Sequence, residues 1–420
     1  MEEKEIANKI KAAGGELYLV GGAVRDSIID KPNYDKDYCV VGITAEKFKK
    51  LFPNSYTRGK SFEVFDIDGK EFAMARMETK IGSGHKEFKI KTGKDITIID
   101  DLARRDITIN SIAQNVLTQE IIDPFNGIQD IKNKIIKATT QAFKEDPLRV
   151  YRVARFAAIL NFRVEENTIE LMRQLKPELM FLSKERVFVE FAKALKSEKP
   201  SIFFDVLKEA NVLEVHFKEI KNLIGALQLE KFHPEGDAYI HTMMVLDYAA
   251  KQTNKLEIRY SALVHDLGKG ITPKEEYPHH YNHEINGVEV VKQFSNRIGV
   301  PTIWEKCGKT ACREHMRGGI FYKMKPSKKV DFIERVSKSQ LGLEGLQIVV
   351  NSDRLSSKNI DEGRIDFKDI GEKCLYEING KYIQDKFNIK QGIEFGNKLR
   401  EERIKWMKDN SENKSGHLRK

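Results

Sequence analysis

The sequence predicts an α+β head, a mixed sheet with helices, followed by an all-α neck, body and tail. Three observations predict it. Strand-like runs fall in the first part of the chain, at Leu17–Val20, Tyr38–Val41, Val64–Ile67 and Glu71–Ala75. From residue 156 onward the pattern turns helical, with breaks at Pro177, Pro200 and Asn211. Further on, His241 opens an apolar-striped helix, and residues 361–420 read as a helical tail. The expected division is 1–140 for the head, 141–230 for the neck, 231–360 for the body and 361–420 for the tail.

A length of 420 residues accommodates roughly two to four domains. With 40% hydrophobic and 32% charged residues, the balance is that of a soluble globular chain. The formal charge of +9 is compatible with a polyanionic partner but does not by itself identify one. Cys39, Cys307, Cys312 and Cys374 form no zinc pattern, because Cys312 and His315 find no second pair of suitable spacing. The thiols read as reduced, so a cytoplasmic protein is expected. The N-terminus is acidic and polar, which argues against a secretory signal. No apolar run of about 18 residues occurs, so no membrane span is expected.

Residues 1–15 read as a short amphipathic helix with Ile6 and Ile10 on one side. Strand Leu17–Val20 then meets Gly21-Gly22, a helix start carrying Arg25, and a loop ending in Asp35 and Asp37. Two glycines let the backbone approach something bulky. The amides of the helix start favour an anion, and Arg25 adds a fork suited to phosphate. If Tyr38–Val41 continues the strand, period two puts both carboxylates on one face. Two hard oxygen ligands beside a phosphate cradle suit Mg²⁺ and metal-assisted nucleotidyl transfer. Taken singly, Gly-Gly is a tight turn and Asp-x-Asp a solvated loop; their order along the chain is what points to a site. A hairpin around Asp68-Gly69 completes a small mixed sheet, covered on one face by helices.

Residues 76–101 are polar, with Gly82, Gly84 and Gly93, a mobile-loop composition. Arg105, Asp106 and Asn110 follow, with donors and acceptors for a triphosphate and a ribose; in isolation they read as a solvated charge cluster. Glu145–Phe156 begins a long helix, in which Asp146 fits the N-cap and Pro147 the first turn. Asp146, Arg149 and Arg152 fall near one stripe. An acceptor and a donor held rigidly can read the edge of a base, because a wrong base leaves buried groups unpaired. Ser183–Leu195 reads as a capped amphipathic helix whose basic face suits phosphates.

Val20-Gly21-Gly22-Ala23-Val24-Arg25-Asp26 with Asp35 and Asp37 resembles the first motif of the class II nucleotidyltransferases, the family of CCA-adding enzymes and bacterial poly(A) polymerases. The resemblance implies a nucleotidyltransferase fold for the head. It implies Mg²⁺ on Asp35 and Asp37 as the catalytic pair, and a triphosphate on Gly22, Arg25 and Arg105. Asp106 and Asn110 lie in the match to the second motif. Asp123-Pro124-Phe125-Asn126-Gly127 matches the third and reads as the connection from head to neck, with Asn126 where the family more often has Gly. In Glu145-Asp146-x-x-Arg149 the resemblance makes Asp146 and Arg149 the base readers and lets Arg152 help hold the nucleotide. The family's flexible element corresponds to residues 76–101; its full length here favours complete CCA addition.

A second constellation comprises His241, His265-Asp266, His280, His283, His315 and Asp353. Imidazole and carboxylate suit a divalent metal. The series resembles the HD phosphohydrolase superfamily, which implies a divalent transition metal on His241, His265, Asp266 and Asp353. His280, His283 and His315 remain for a second metal or for phosphate contacts. The segment from His241 to Gly287 is similar to the body of CCA-adding enzymes of the enterobacterial type. That implies phosphatase and 2′,3′-cyclic phosphodiesterase activity; a metal-free scaffold supporting tRNA is the alternative.

The expectation is therefore addition of C, C and A to the tRNA 3′ end from CTP and ATP, by a monomer or a homodimer. A poly(A) polymerase, an HD phosphohydrolase with a vestigial head and a non-catalytic tRNA-binding protein are the rivals. Ile378–Lys381 and Gly392–Gly396 resemble a segment of related tails, and Lys398–Lys420 reads as a solvated helix end and disordered terminus.

Overall fold

The computed structural model describes residues 1–32, 36–58, 64–80, 88–356 and 363–411. Asp35 lies outside the described residues. The chain divides into two units, Met1–Glu190 with Ile202–Val212, and Phe191–Ser201 with Leu213–Lys420.

The first unit opens with α1 (Glu3–Ala12), β1 (Glu16–Val20), α2 (Gly22–Ile28), β2 (Asp37–Val41) and α3 (Ala45–Leu51). Next come β3 (Tyr56–Arg58), β4 (Val64–Ile67), β5 (Lys70–Met74), β6 (Arg76–Lys80), β7 (Phe88–Thr92) and α4 (Ile98–Ala103). After α4 the chain forms β8 (Ala113–Asn115), β9 (Ile121–Ile122), α5 (Gly127–Lys132) and β10 (Ile135–Ile136). It continues through α6 (Arg149–Leu160), β11 (Arg163–Val164), α7 (Glu166–Gln174), α8 (Lys176–Leu179), α9 (Lys184–Leu195) and α10 (Ser201–Glu209).

The main sheet has seven strands in the order β3-β4-β5-β2-β1-β8-β9. It is mixed: β2 and β5 run parallel, while the other neighbours run antiparallel. Period two sorts its residues onto two faces. Leu17, Tyr38, Val40, Phe65 and Phe72 pack with Ile6 and Ile10 of α1 and Phe48 of α3. On the other face Tyr18, Val20, Cys39 and Ala113 pack with Ile96 and with Ile98 and Leu102 of α4. Helices therefore cover both faces, not one as the sequence led us to expect.

That helix was hidden inside the polar stretch 76–101. Thr97 and Asp100 form a capping box, so the polar residues at the start of α4 serve amides that need partners. The same stretch also contains the antiparallel ribbon of β6 and β7, where a loop was expected. Gly82 and Gly84 lie outside the described residues. Asp123–Gly127 comes directly after the main sheet. The Asp123 carboxylate accepts the amides of Gly127 at 2.7 Å and Ile128 at 2.9 Å, so it starts α5, and β10 still follows. The turn follows β9, the last strand of the main sheet, while β10 pairs with β11 in a separate two-stranded sheet. Asn126 sits at φ 59°, a left-handed position that Asn tolerates better than most side chains.

The second unit is helical: α11 (Leu213–Lys221), α12 (Ala238–Gln252), α13 (Leu256–Val264), α14 (His283–Ile298), α15 (Thr302–Gly319), α16 (Pro326–Ser337), α17 (Gly342–Ser356), α18 (Lys368–Glu377), α19 (Gly380–Phe387) and α20 (Ile393–Ser411). Its core joins Ala249 of α12, Ala262 of α13, Cys307 of α15, Phe332 of α16, Val349 of α17 and Cys374 of α18, with Phe321 and Phe367 between them. Met407 of α20 belongs to the same core. The stretch from Lys398 is thus not only a solvated helix end: its apolar stripe is buried, and residues 412–420 lie outside the described residues. No helix among the described residues is long and apolar enough to cross a membrane.

Candidate active site and candidate metal centre

In the first unit, the sheet face under α4 carries a row of carboxylates. Asp37 opens β2 and stands opposite Val20 of β1 and Glu71 of β5. Glu71 in turn stands opposite Asp66 of β4. Cross-strand partners share a face, so Asp37, Glu71 and Asp66 line up across neighbouring strands. Asp37 and Glu71 are exposed, and Asp66 is buried, with Oδ1 accepting the amide of Gly69 at 3.0 Å. Sequence reasoning missed Glu71 because only the pairing of β2 with β5 brings it beside Asp37.

The cradle forms where β1 ends. Gly21 has φ 70°, open to glycine at little cost, and a Cβ there would stand 3.1 Å from Arg105 Nη1. Gly22 begins α2. Arg105 donates Nε and Nη2 to Asp101 Oδ2, at 3.3 and 3.0 Å, which leaves Nη1 on the side of the Gly21 turn. Asp101 is buried. Burial alone would raise its carboxyl, but Arg105 and Arg104 beside it hold it below the ordinary range.

Arg25 is also buried. It donates Nε to Asp26 Oδ1 at 2.8 Å and Nη1 to Asn110 Oδ1 at 2.5 Å, with its guanidinium 5.2 Å from the Phe156 ring centre. Asn110 Nδ2 donates to Asp106 Oδ1 at 3.3 Å, and Asp106 Oδ2 accepts Arg152 Nε at 2.7 Å. One buried line of hydrogen bonds therefore joins α2, the turn Thr108–Asn110 and α6. Burial works against the Asp106 charge, yet Arg152 holds its carboxyl down at about 2.

Asp146 is extended, and its Oδ1 accepts the amide of Leu148 at 3.0 Å in the turn before α6, whose cap position is Leu148 rather than Asp146. Its Oδ2 accepts Arg186 Nη2 at 2.9 Å. Arg149 is buried and donates to the carbonyls of Ala142 at 2.7 Å and Arg104 at 2.6 Å. Arg186 is a partner the sequence did not single out, since it lies on α9, far along the chain.

In the second unit, α12, α13, α14, α15 and α17 bring imidazoles and carboxylates to one buried place. His241 Nε2 lies 2.9 Å from Asp353 Oδ1, and His241 Nδ1 lies 2.6 Å from Glu235 Oε1. His265 Nε2 is 3.3 Å from Asp266 Oδ2 and 3.9 Å from Asp353 Oδ1. His265 Nε2 and Asp266 Oδ1 are buried without a hydrogen-bond partner among the described residues. Burial opposes a charged His241, but Asp353 and Glu235 hold its pKa up at about 9. Burial likewise opposes the Asp266 charge, yet His265 and Lys269 hold that carboxyl well below the usual range. The pocket thus favours positive charge between its acids. Nitrogen and oxygen donors, with a lone pair and a carboxylate oxygen left over, fit a divalent metal.

His283 and His315 join this place through Asp266, at 3.3 and 3.4 Å from its Oδ1. His280 does not. Its Nδ1 meets Thr272 Oγ1 at 2.9 Å and its Nε2 meets the carbonyl of Leu227 at 3.0 Å, so it serves a loop. Glu235 was missed by sequence reasoning, being one acid among many in a loop. Gly268 lets α14 approach: a Cβ there would fall on the carbonyl of His283.

Family comparison gives three matches along the chain: the poly A polymerase head domain over residues 17–137, the "Probable RNA and SrmB- binding site of polymerase A" over 161–224, and the HD domain over 238–353. The solved structure of a Thermotoga maritima CCA-adding enzyme complexed with tRNA aligns with a TM-score of 0.61 at 18% identity, over 97% of this chain and 92% of that one. The fold is therefore shared. The multifunctional CCA protein of Shewanella frigidimarina is 46% identical over 294 residues, 68% of this chain and 70% of the relative. That of Psychromonas ingrahamii is 44% identical over 304 residues, 71% of this chain and 73% of the relative. Identity at this level over more than two thirds of the chain and of each relative means that the chain belongs to the family of multifunctional CCA proteins.

Proposed function

We propose that this chain adds C, C and A to the 3′ end of tRNA, taking CTP and ATP as donors and releasing pyrophosphate. The buried line from Arg25 through Asn110 and Asp106 to Arg152 is the observation that carries the reading, since it fixes α6 beside the cradle. Head and HD domains of this kind use divalent ions. In the head Asp35 and Asp37 would hold Mg²⁺, and Glu71 stands opposite Asp37 on the neighbouring strand. When bound, Mg²⁺ makes the RNA 3′-hydroxyl a better nucleophile and offsets charge on the phosphate.

The remaining roles fall to the protein's own groups. The Gly22 amide and Arg105 Nη1 hold the triphosphate. Arg25 keeps the cradle in place from within, because most of its donors are committed to Asp26 and Asn110. Asp146 presents an acceptor to the base edge; Arg149 reads the base only by giving up one of its bonds to the carbonyls of Ala142 and Arg104. The Asp146 side chain is 27% and that of Arg186 35% exposed, so a nucleobase amino group can take Arg186's place on Oδ2. Arg152 acts through Asp106 and Asn110.

The HD body is a phosphohydrolase for phosphomonoesters and 2′,3′-cyclic phosphates, with a divalent transition metal on His241, His265, Asp266 and Asp353. When bound, that metal lowers the pKa of a water molecule. Glu235 fixes His241 so that Nε2 faces the metal.

The test supplies a tRNA lacking CCA with CTP alone, then with ATP as well. The expected products are two added C residues, then one A. Asp35→Ala and Asp37→Ala are expected to abolish incorporation while tRNA binding survives. Open-ended tailing from ATP alone, or a normal rate in either variant, would overturn the reading.

A further inference from the structure

We infer that the second unit carries a groove for RNA-backbone phosphates between α15 and α16, built from Lys306, Arg313, Arg335 and Lys338 and separate from the histidine pocket. This rests on the reading of tRNA as the substrate.

Helix α15 has two different faces. Cys307, Ala311, Cys312 and His315 are buried on one. Lys306, Lys309, Arg313 and Arg317 follow one another along the other, three or four residues apart. Each cation therefore stands about one 5.4 Å turn from the next. Helix α16 adds Arg335 in its last turn and Lys338 just beyond it. Between the two helices lies a groove of about 420 Å³, lined by Lys306, Lys309, Arg313, Arg335 and Lys338. Glu314 is the single acid of this lining among the described residues.

Glu314 is 2% exposed, and its charge is already committed. Its Oε1 accepts Arg335 Nε at 2.8 Å and its Oε2 accepts Arg335 Nη2 at 3.0 Å. That paired bond fixes the guanidinium plane and leaves Nη1 outside it. Arg317 Nη1 meets the same carboxylate at 3.3 Å. Neighbouring acids are taken up elsewhere: Asp331 pairs with Arg400 and Glu334 with Arg403, both on α20, and Glu305 pairs with Lys309. Lys306, Arg313 and Lys338 are exposed, and none has an ion-pair partner among the described residues.

Five cations thus share the groove with one committed carboxylate. Like charges gathered this closely repel one another, and a polyanion relieves the repulsion while shedding its own counterions. Repetition at each turn of α15 suits a polymer of phosphates better than one compact ion. An arginine fork held in its plane suits a phosphate oxygen. The lining offers no aromatic ring among the described residues for a base to stack on, so the contact is to the backbone and blind to sequence.

The experiment measures tRNA binding to the full chain by fluorescence anisotropy across a salt series. One variant combines Lys306→Gln, Arg313→Gln and Lys338→Gln. A control of equal net charge combines Lys251→Gln, Lys274→Gln and Lys323→Gln, exposed lysines outside the groove. Each phosphate contact contributes roughly 0.7–0.9 to the slope of log K against log salt. The groove variant should lose about 2 to 3 from that slope, and its KM for tRNA in CCA addition should rise. The control should lose far less. An unchanged slope in the groove variant, or an equal loss in both variants, would overturn the groove alone. A parent that binds no tRNA would overturn the groove and the substrate reading together.

Discussion

Replacing Asp106 with Asn tests the buried line of the first unit most directly. Asp106 Oδ2 accepts Arg152 Nε at 2.7 Å, and the carboxyl is held at about 2, against about 3.9 for an ordinary aspartate. A gap of nearly two pKa units corresponds to about 2 kcal/mol. The folded pKa is depressed, so this contribution is complete above pH 4 and is lost as the pH falls through 2. Asp106→Asn keeps the side-chain shape and removes the charge, so about 2 kcal/mol should vanish at pH 7. Trp304 and Trp406 both lie in the second unit, so their fluorescence does not report on this change. Amide exchange does, read by mass spectrometry on peptides from residues 1–190 of the full chain. Globally protected amides there should exchange about 30-fold faster in the variant at neutral pH. The ratio to the parent should fall toward one near pH 2. A ratio of one at neutral pH, or a ratio unchanged down to pH 2, would refute the assignment of charge to this pair.

Asp146→Ala should relax the choice of CTP over UTP by about 10- to 100-fold, the worth of one charged hydrogen bond, read from competing incorporation. His216 is buried, and burial together with Arg297 lowers its pKa to about 4. The folded state therefore resists the proton, so the second unit should lose about 3 kcal/mol between pH 6.5 and pH 4. His216→Asn should flatten that slope in urea melts followed by tryptophan fluorescence. Gly268→Ala places a methyl group on the His283 carbonyl and should cost about 1–3 kcal/mol, with weaker Mn²⁺ binding.

Much of this was legible in the residues. Gly21-Gly22, Arg25 and Asp37 are near neighbours in sequence, so their order along strand, turn and helix announced the cradle. The histidines of the second unit could be collected by type alone. What escaped was set by pairing at a distance. Glu71 gains its place only because β5 runs beside β2. Arg186 reaches Asp146 from a different helix. Helix α4 looked like loop because it is short and its cap and paired aspartates are polar, and the β6–β7 ribbon because the glycines and charges of the stretch outweighed the alternation of lysines with Phe88 and Ile90, itself a strand pattern. His280 was grouped with His283 by proximity in sequence, yet a single turn of chain sends its ring to a carbonyl elsewhere.

The line from Arg25 to Arg152 has a consequence for fidelity. Its links are charged or amide-based and, up to the half-buried Arg152, buried, so a shift at one is passed to the next. A nucleotide that fits poorly against α6 tugs, through Arg152 and Asp106, on the very arginine that steadies the glycine turn. Mismatch at the base then becomes misalignment at the phosphorus, and an incorrect monomer is rejected by slow chemistry as well as by weak attachment.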